Sequence, residues 1–292
     1  MENINKEKLL SPFSLLNEAL GLYKSKLWIL IAILLVPTVL NFILALSQPS
    51  LSPQPSDVGL YANLMFIAII FVGIFSVLVS AWAYLALIFV LRDKSLGFLK
   101  AYGLSKNKLP SYILVNILIT VATLPGIFLL GIPAIVYLVW FTFSSFVLVV
   151  EDYRGSQALM RSREYVAHRW WEVAWRMFFI ILFLFAIQFI GSLLAHMVET
   201  GFSVYPTGGK PTSALLINII RGVISSIVTL VTVPLSISYS YLLYLNLRET
   251  RPDLAKQPVN EKYKWFYILS PTTILIIVIV IISFLLQIAR FS

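Results

Sequence analysis

Seven long apolar segments occupy most of this chain, and they constrain its fold more than any other feature. A helix needs about 20 apolar residues to cross the hydrocarbon of a bilayer. Charged residues make up only 12% of the sequence, about half the usual share in a soluble domain. We therefore predict an all-α integral membrane protein. Its spans lie approximately at Leu27–Leu46, Leu64–Leu91, Leu109–Leu130, Ile132–Val150, Met177–Met197, Ile217–Leu247 and Pro271–Ala289.

The boundary between the third and fourth segments has two possible positions. The two segments are almost continuous, and Gly131 and Pro133 lie close to their midpoint, where a tight turn makes two helices. The pair Pro125–Gly126 is an alternative break, because such a pair also marks turns.

Basic residues predict the orientation of the spans. Of the 22 lysines and arginines, all but Lys210, Arg221 and Arg290 fall in the N-terminal segment or in the connections after the second, fourth and sixth spans. Cytoplasmic loops carry such an excess of positive charge, so we place the N-terminus in the cytoplasm and the C-terminus outside. Tryptophan side chains anchor at headgroup level, and five of the seven fall at the same predicted boundary: Trp28, Trp170, Trp171, Trp175 and Trp265.

A short pattern recurs before the first, third and fifth spans. Apolar and basic positions follow one another at the same spacing in all three segments, and this spacing places the apolar members on one face of a helix. The three sets are Leu16, Ala19, Tyr23, Lys26 and Leu27; Phe98, Ala101, Ser105, Lys108 and Leu109; and Leu159, Ser162, Val166, Arg169 and Trp170. We predict six core transmembrane helices as three hairpins, each preceded by a cytoplasmic amphipathic helix that lies in the membrane interface.

The seventh span stands outside this repeat, because neither an amphipathic helix nor a second hairpin member accompanies it. The predicted organisation is therefore a six-span membrane domain over residues 1–250, a cytoplasmic linker over 251–264 and a C-terminal transmembrane anchor over 265–292.

The exit of the fourth span carries a recognisable pattern, E-x3-G-x2-A-L-x-R-S-x7-W. It is formed by Glu151, Gly155, Ala158, Leu159, Arg161, Ser162 and Trp170. This pattern resembles prokaryotic multi-span membrane proteins of the glycerophosphoryl diester phosphodiesterase membrane-domain type, an uncharacterised six-span family. The segment Ser11–Leu27 resembles the opening helix of that family, and Pro234–Leu247 resembles its last core span. The likeness covers roughly residues 10–250.

The resemblance implies a membrane domain and not an activity. In that family the enzyme chemistry belongs to a separate soluble barrel, which uses a His-Arg-Gly type motif. Here His168 and Arg169 are followed by Trp170 and not by glycine, so we expect the catalytic domain to be absent. The last span receives no support from the resemblance.

Few residues in the spans suggest chemistry. The acidic residues all fall in predicted loops, interfacial helices or tails, which disfavours a carboxylate-driven ion pump. The polar candidates within spans are Asn116, Gln188, His196, Asn218 and Arg221. Asn116, Gln188 and Asn218 either line a polar path or form hydrogen-bond links between helices. Arg221 either holds an anionic lipid headgroup or substrate phosphate from the outer side or extends to the outer interface. His196 either shuttles protons or is a polar residue of the interface. No catalytic residue, cofactor or metal site is predicted.

Two functional hypotheses remain open. The first is a non-enzymatic protein of the cell membrane that organises or binds membrane components at its cytoplasmic face. Its partners would be the lipid bilayer, anionic lipids or other membrane proteins, and not nucleic acid, because the basic residues flank spans. The alternative is a transporter or permease for a small or amphipathic solute. It predicts a polar cavity among the helices, which a solid apolar core would contradict.

The predicted orientation can be tested by labelling intact cells. A membrane-impermeant reagent applied to intact cells should not modify the segment around Arg161, because that segment is predicted to be cytoplasmic. Modification of this segment from outside would contradict the orientation.

Overall fold

A computed structural model describes residues 9–51, 60–93, 95–128, 131–204 and 212–259. Every regular element in these ranges is helical, as predicted from the apolar composition. The helices are α1 (Pro12–Leu51), α2 (Leu60–Arg92), α3 (Phe98–Phe128), α4 (Ile132–Phe141), α5 (Ser144–Val150), α6 (Ser156–Val166), α7 (Trp170–Val204), α8 (Thr212–Thr250) and α9 (Pro252–Lys256). A single 3-10 turn, Ala167–Arg169, connects α6 to α7.

Six helical segments are long and apolar enough to cross a membrane, by length and composition. They coincide with the first six predicted spans, whereas the predicted seventh span lies outside the described residues. The six segments are Pro12–Leu44, Ile67–Arg92, Phe98–Leu124, Ile132–Val150, Ser156–Val198 and Leu216–Thr250.

The segments predicted as amphipathic helices are helical, but two of them are not separate elements. Helix α1 runs from Pro12 through the first predicted span without a break, and α3 runs from Phe98 through the third. Only α6 is set apart from the span that comes next, by the 3-10 turn before Trp170. In α1 the apolar run begins directly after Lys26, and no proline or glycine lies at that point. Helix α3 continues although Pro110 lies two residues after Lys108.

Residue contacts divide the chain into two compact units. Of the described residues, the first unit comprises 9–11, 107–128, 131–177 and 240–259, and the second comprises 12–51, 60–93, 95–106, 178–204 and 212–239. Each unit has a polar arrangement of its own.

In the first unit, a tight turn separates α3 from α4 and decides between the two predicted breaks. Helix α3 passes through Pro125 and Gly126 and ends at Phe128, and Gly131 adopts a positive φ of 76° before α4 begins. The backbone amide of Gly131 donates to the carbonyl of Gly126 at 3.1 Å. A Cβ on Gly126 would collide with the backbone of Ala134, so glycine permits the two helices to meet closely.

The fourth predicted span is interrupted between α4 and α5, which the sequence did not indicate. Ser162 of α6 closes this break: its hydroxyl donates to the carbonyl of Trp140 at 2.7 Å and accepts from the amide of Phe143 at 3.1 Å. A side chain that enters the helical hydrogen-bond ladder is a known cause of such a bend. The hydroxyl therefore replaces bonds that a continuous helix would have made.

In the second unit, Tyr102 compensates for a proline within α1. Pro37 has no amide hydrogen, so the carbonyl of Ile33, four residues earlier, loses its normal helical donor. The hydroxyl of Tyr102 donates to this carbonyl at 2.8 Å. The indole of Trp82 on α2 donates to the carbonyl of Tyr102 at 3.0 Å, which joins α2 to the start of α3.

The C-terminal end of α2 is capped by a lysine from α1. Lys26 is buried, and its ammonium group donates to the carbonyl of Val90 and, at 3.5 Å, to that of Asp93. A cation at this position complements the partial negative charge of a helix C-terminus. Beyond it, the backbone amide and hydroxyl of Ser95 donate to the carboxylate of Asp93 and lower its pKa.

The compensation of Pro37 leads to a stability prediction. Tyr102→Phe leaves the carbonyl of Ile33 without its donor and should lower the free energy of unfolding by about 1 kcal/mol or more. Pro37→Ala restores an amide donor for that carbonyl, so Tyr102→Phe should cost less in the Pro37→Ala background. Thermal unfolding in detergent of the unchanged protein, the two single variants and the double variant measures how far the cost of Tyr102→Phe depends on Pro37.

Tyr23→Phe is the matched control, because Tyr23 is a partly exposed tyrosine of the same unit. If Tyr102→Phe cost the same with and without Pro37, the proposed compensation would be wrong.

Candidate ligand-binding site

A cavity of about 830 Å³ lies within the second unit, between α1, α2 and α8. Ten of its seventeen described lining residues are polar, although the helices that carry them are otherwise strongly apolar. The polar lining residues are Thr38, Asn41, Ser76, Ser80, Tyr84, Asn218, Arg221, Ser225, Ser226 and Thr229. The apolar core of this unit, which includes Ile33 and Leu87, therefore does not fill the space between these three helices.

Helix α8 supplies the charged end of the cavity. Asn218, Arg221, Ser225 and Thr229 recur at intervals of three or four residues, which places them on one face of the helix. The side chains of Arg221 and Ser225 are exposed, so this face is open and not sealed.

Helices α1 and α2 supply the opposing polar faces. On α2, Ser76, Ser80 and Tyr84 have the same helical spacing as the residues on α8. The hydroxyl of Ser76 donates to the side-chain carbonyl of Asn41 on α1, which ties the two polar faces together. Polar side chains within apolar helices need hydrogen-bond partners, and a cavity that admits water or a polar ligand provides them.

A second cavity of about 300 Å³ lies between α7 and α8 in the same unit. Its polar lining on α7 comes from Gln188, Ser192 and His196. Arg221 and Ser225 line this cavity as well as the larger one, so Arg221 belongs to both. Of the described residues that line the two cavities, Arg221 is the one that is fully charged at neutral pH, and none is acidic.

Two glycines set how closely the helices approach beside these cavities. A Cβ on Gly222 of α8 would collide with the ring of Phe42, and a Cβ on Gly191 of α7 would lie 2.6 Å from a methyl carbon of Val228. Small residues allow such close contact between helices in a membrane. The glycines therefore keep the helices close on either side of Arg221 while the polar faces remain apart.

The structure brings together most of the polar residues that the sequence singled out. Asn218 and Arg221 line the larger cavity, and Gln188, His196 and Arg221 line the smaller one. Asn116 does not line either cavity. It belongs to the first unit, is exposed, and donates to the carbonyl of Tyr112 on its own helix at 2.9 Å.

Sequence reasoning missed the hydroxyl-bearing residues of the site. Ser76, Ser80 and Tyr84 on α2, and Ser225 and Thr229 on α8, carry no charge and are common in membrane helices. The signal that would have found them is their recurrence every three or four residues, in register with Arg221 on α8.

The first unit contains a buried network of charged groups around Glu151. One oxygen of its carboxylate accepts the hydroxyls of Tyr244, at 2.6 Å, and Tyr165, at 3.0 Å, and lies 3.6 Å from the guanidinium of Arg248. The other carboxylate oxygen lies 3.8 Å from the guanidinium of Arg161, whose side chain is completely buried. We refer to these five residues as the Glu151 network.

Arg161 extends this network to the surrounding chain. Its guanidinium pairs with Glu164 at 2.9 Å and donates to the hydroxyl of Tyr153 at 3.1 Å. It also donates to the backbone carbonyl of Gln257, just after the end of α9. With Glu164 included, two arginines and two carboxylates balance in formal charge, so these contacts stabilise this unit internally.

The residues of the family-like motif have local structural roles, apart from Trp170. Glu151 and Arg161 form the ion pair, Ser162 closes the helix break, and Ala158 and Leu159 are completely buried. Gly155 begins α6 with a positive φ of 52°. Trp170 is partly buried, and the ring of Trp171 meets it edge-on at 4.7 Å.

Comparison of the chain with models of known protein families, with curated proteins and with solved structures finds no match. The resemblance to the six-span membrane-domain family therefore stays a prediction.

The Glu151 network makes a second stability prediction. Glu151→Leu leaves two arginines without their shared carboxylate and should destabilise the protein by about 3 kcal/mol or more. Glu151→Gln keeps an acceptor for the two tyrosine hydroxyls and should cost less. Thermal unfolding in detergent measures both.

Glu249→Leu provides the matched control, because Glu249 is an exposed glutamate at the end of α8 and its loss should be nearly neutral. Equal losses for Glu151→Leu and Glu249→Leu would show that the buried network contributes nothing specific.

Proposed function

We propose that this protein is a non-enzymatic, multi-pass membrane protein that binds a small or amphipathic solute in the cavity of its second unit and carries it across the membrane. The observation that carries the proposal is the polar cavity of about 830 Å³ among helices apolar enough to span a bilayer. Polar side chains within spans usually face a protein interior or a water-filled path, because exposing them to lipid is costly. The volume lies in the range of known small-molecule sites.

The predicted orientation places this cavity in the outer part of the membrane. On α2, Tyr84 and Gly73 lie about 12 and 28 Å along the helix from Arg92, which is predicted to mark the cytoplasmic boundary. On α1, Leu34 and Leu44 lie at similar distances from Lys26. Because the hydrocarbon is about 30 Å thick, the cavity extends from near the midplane towards the outer surface. We propose the cell membrane as its location.

We propose in addition that the six core spans are three related units of helix and hairpin. Two equivalent lysines of the repeated pattern support this proposal. Lys26 binds carbonyls at the end of α2, the second helix of the first hairpin, and Lys108 pairs with Asp152 just beyond α5, which ends the second hairpin. Arg169, the third equivalent, lies 3.9 Å from Glu172 at the start of α7 instead.

A second candidate function is the binding of anionic lipids or partner proteins at the cytoplasmic face. The observation in its favour is the exposure of tryptophans at the predicted cytoplasmic boundary, since Trp28, Trp171 and Trp175 are all exposed. Basic residues beside a membrane surface attract anionic headgroups. Native mass spectrometry should then show more retained anionic than zwitterionic lipid, and equal retention would contradict this function.

The absence of cysteine from the sequence makes the proposed transport path directly testable. Ser225→Cys and Ser80→Cys place single thiols in the cavity, whereas Ile227→Cys places one on an exposed apolar position of the same helix, α8. An uncharged, water-soluble maleimide should modify both cavity thiols about tenfold or more faster than the Ile227→Cys thiol, because only thiols in water form the reactive thiolate.

Transport also requires access from both sides of the membrane. In sealed vesicles of either orientation, an uncharged maleimide that does not cross lipid should reach Ser80→Cys from each face. Cavity thiols as unreactive as the Ile227→Cys thiol would contradict an aqueous site. Access from one face alone would contradict transport and would leave only a binding site.

A further inference from the structure

We infer that the cavity binds an anion, a phosphate- or carboxylate-bearing solute or lipid, and that Arg221 is the residue that holds its charged group. This inference rests on the proposed function, because it assigns the ligand class of the same cavity. It depends on where the single charge of the lining lies, on the donors around that charge and on the length of the space beyond it.

The charge of the lining has one sign. Arg221 carries the formal positive charge, and none of the described lining residues of either cavity is acidic. A guanidinium attracts an anion, and its planar set of donors matches the two oxygens of a carboxylate or phosphate.

Further donors lie on the same helical face as the guanidinium. Asn218 is three residues before Arg221, and Ser225 is four residues after it, so their side chains are its neighbours on α8. Amide and hydroxyl groups can donate to the anion oxygens that Arg221 does not reach. In the smaller cavity, Gln188 and His196 of α7 line the space beside the same arginine, whereas the hydroxyl of Ser192 donates to the carbonyl of Gln188 at 2.9 Å.

The length of the larger cavity indicates that the ligand is more than an inorganic ion. Along α8 the lining extends from Arg221 to Val233, about 18 Å of helix. Hydroxyl groups of Ser80 and Thr229 lie along this length, with Leu34 among the apolar members of the lining. An organic anion with a polar body fits this arrangement, and both a lipid headgroup and a water-soluble metabolite have that chemistry.

The charge preference can be measured with two thiol reagents on Ser225→Cys, one turn from Arg221. A thiosulfonate that carries a sulfonate and one that carries a trimethylammonium group are similar in size and opposite in charge. The ratio of their reaction rates reports the local potential, since any change in thiolate fraction affects both equally. The sulfonate reagent should react about tenfold faster than its cationic counterpart, after correction for their rates with a free thiol.

Substitutions at Arg221 then assign this preference to one side chain. Arg221→Gln should abolish the preference for the sulfonate, and Arg221→Lys should keep most of it. Arg92→Gln is the matched control, because Arg92 is an exposed arginine of the same unit outside both cavities. It should leave the ratio unchanged.

A protection experiment identifies the source of the anion. Ser225→Cys is reacted with the uncharged maleimide in phosphatidylcholine vesicles, with and without phosphatidylglycerol, and with and without glycerol phosphate in the buffer. Protection by phosphatidylglycerol indicates a lipid ligand, and protection by glycerol phosphate indicates a soluble one. In either case Arg221→Gln should remove the protection and Arg92→Gln should not.

The outcomes separate this inference from the proposed function. If the maleimide reacts with the cavity thiol but Arg221→Gln leaves both the charge ratio and the protection unchanged, the anion assignment is wrong while the cavity remains a candidate path. If the cavity thiol does not react at all, both the path and the anion assignment are wrong.

Discussion

Any backbone amide or carbonyl that leaves the helical hydrogen-bond ladder needs another partner where water is scarce, and the architecture of both units depends on this constraint. Three side chains meet it. Tyr102 donates to the carbonyl of Ile33, which Pro37 deprives of its donor, Ser162 serves an amide and a carbonyl at the break between α4 and α5, and Lys26 caps α2. Each contact joins two different helices. The helix interruptions and helix ends are therefore the places where side chains hydrogen-bond one helix to another.

Polar groups are used differently in the two units. In the first unit, Glu151 and Arg161 are surrounded by tyrosine hydroxyls and further charges until their hydrogen-bonding capacity is largely used. Such a network has little capacity left for a ligand. In the second unit the hydroxyls of α2 and α8 face an open volume, and Arg221 lies where two such volumes meet. This contrast is why the cavity, and not the more densely charged network, is the candidate site.

Composition and helical periodicity were sufficient to predict the class of the fold but not its interruptions. The all-helical class, six apolar segments and the turn near Gly131 agree with the structure because they depend on long apolar runs and on a residue that favours a positive φ. The interruption at Thr142–Phe143 could not be predicted, since no proline or glycine causes it and its partner, Ser162, lies on another helix. Arg221 and Asn218 were recognisable from the sequence because charged and amide side chains are unusual in apolar spans. The serines around them were not, because serine is common in membrane helices.

The contact between Arg161 and the main-chain carbonyl of Gln257 has a consequence for how this protein tolerates change over generations. A carbonyl belongs to every amino acid, so the identity of residue 257 is of little importance to the arginine that binds it. The number of residues between the end of α8 at Thr250 and that carbonyl is important, because one inserted or deleted residue would present a different peptide group to Arg161. In related chains, the residue types between α8 and position 257 should therefore vary freely, whereas the length of this segment should vary very little.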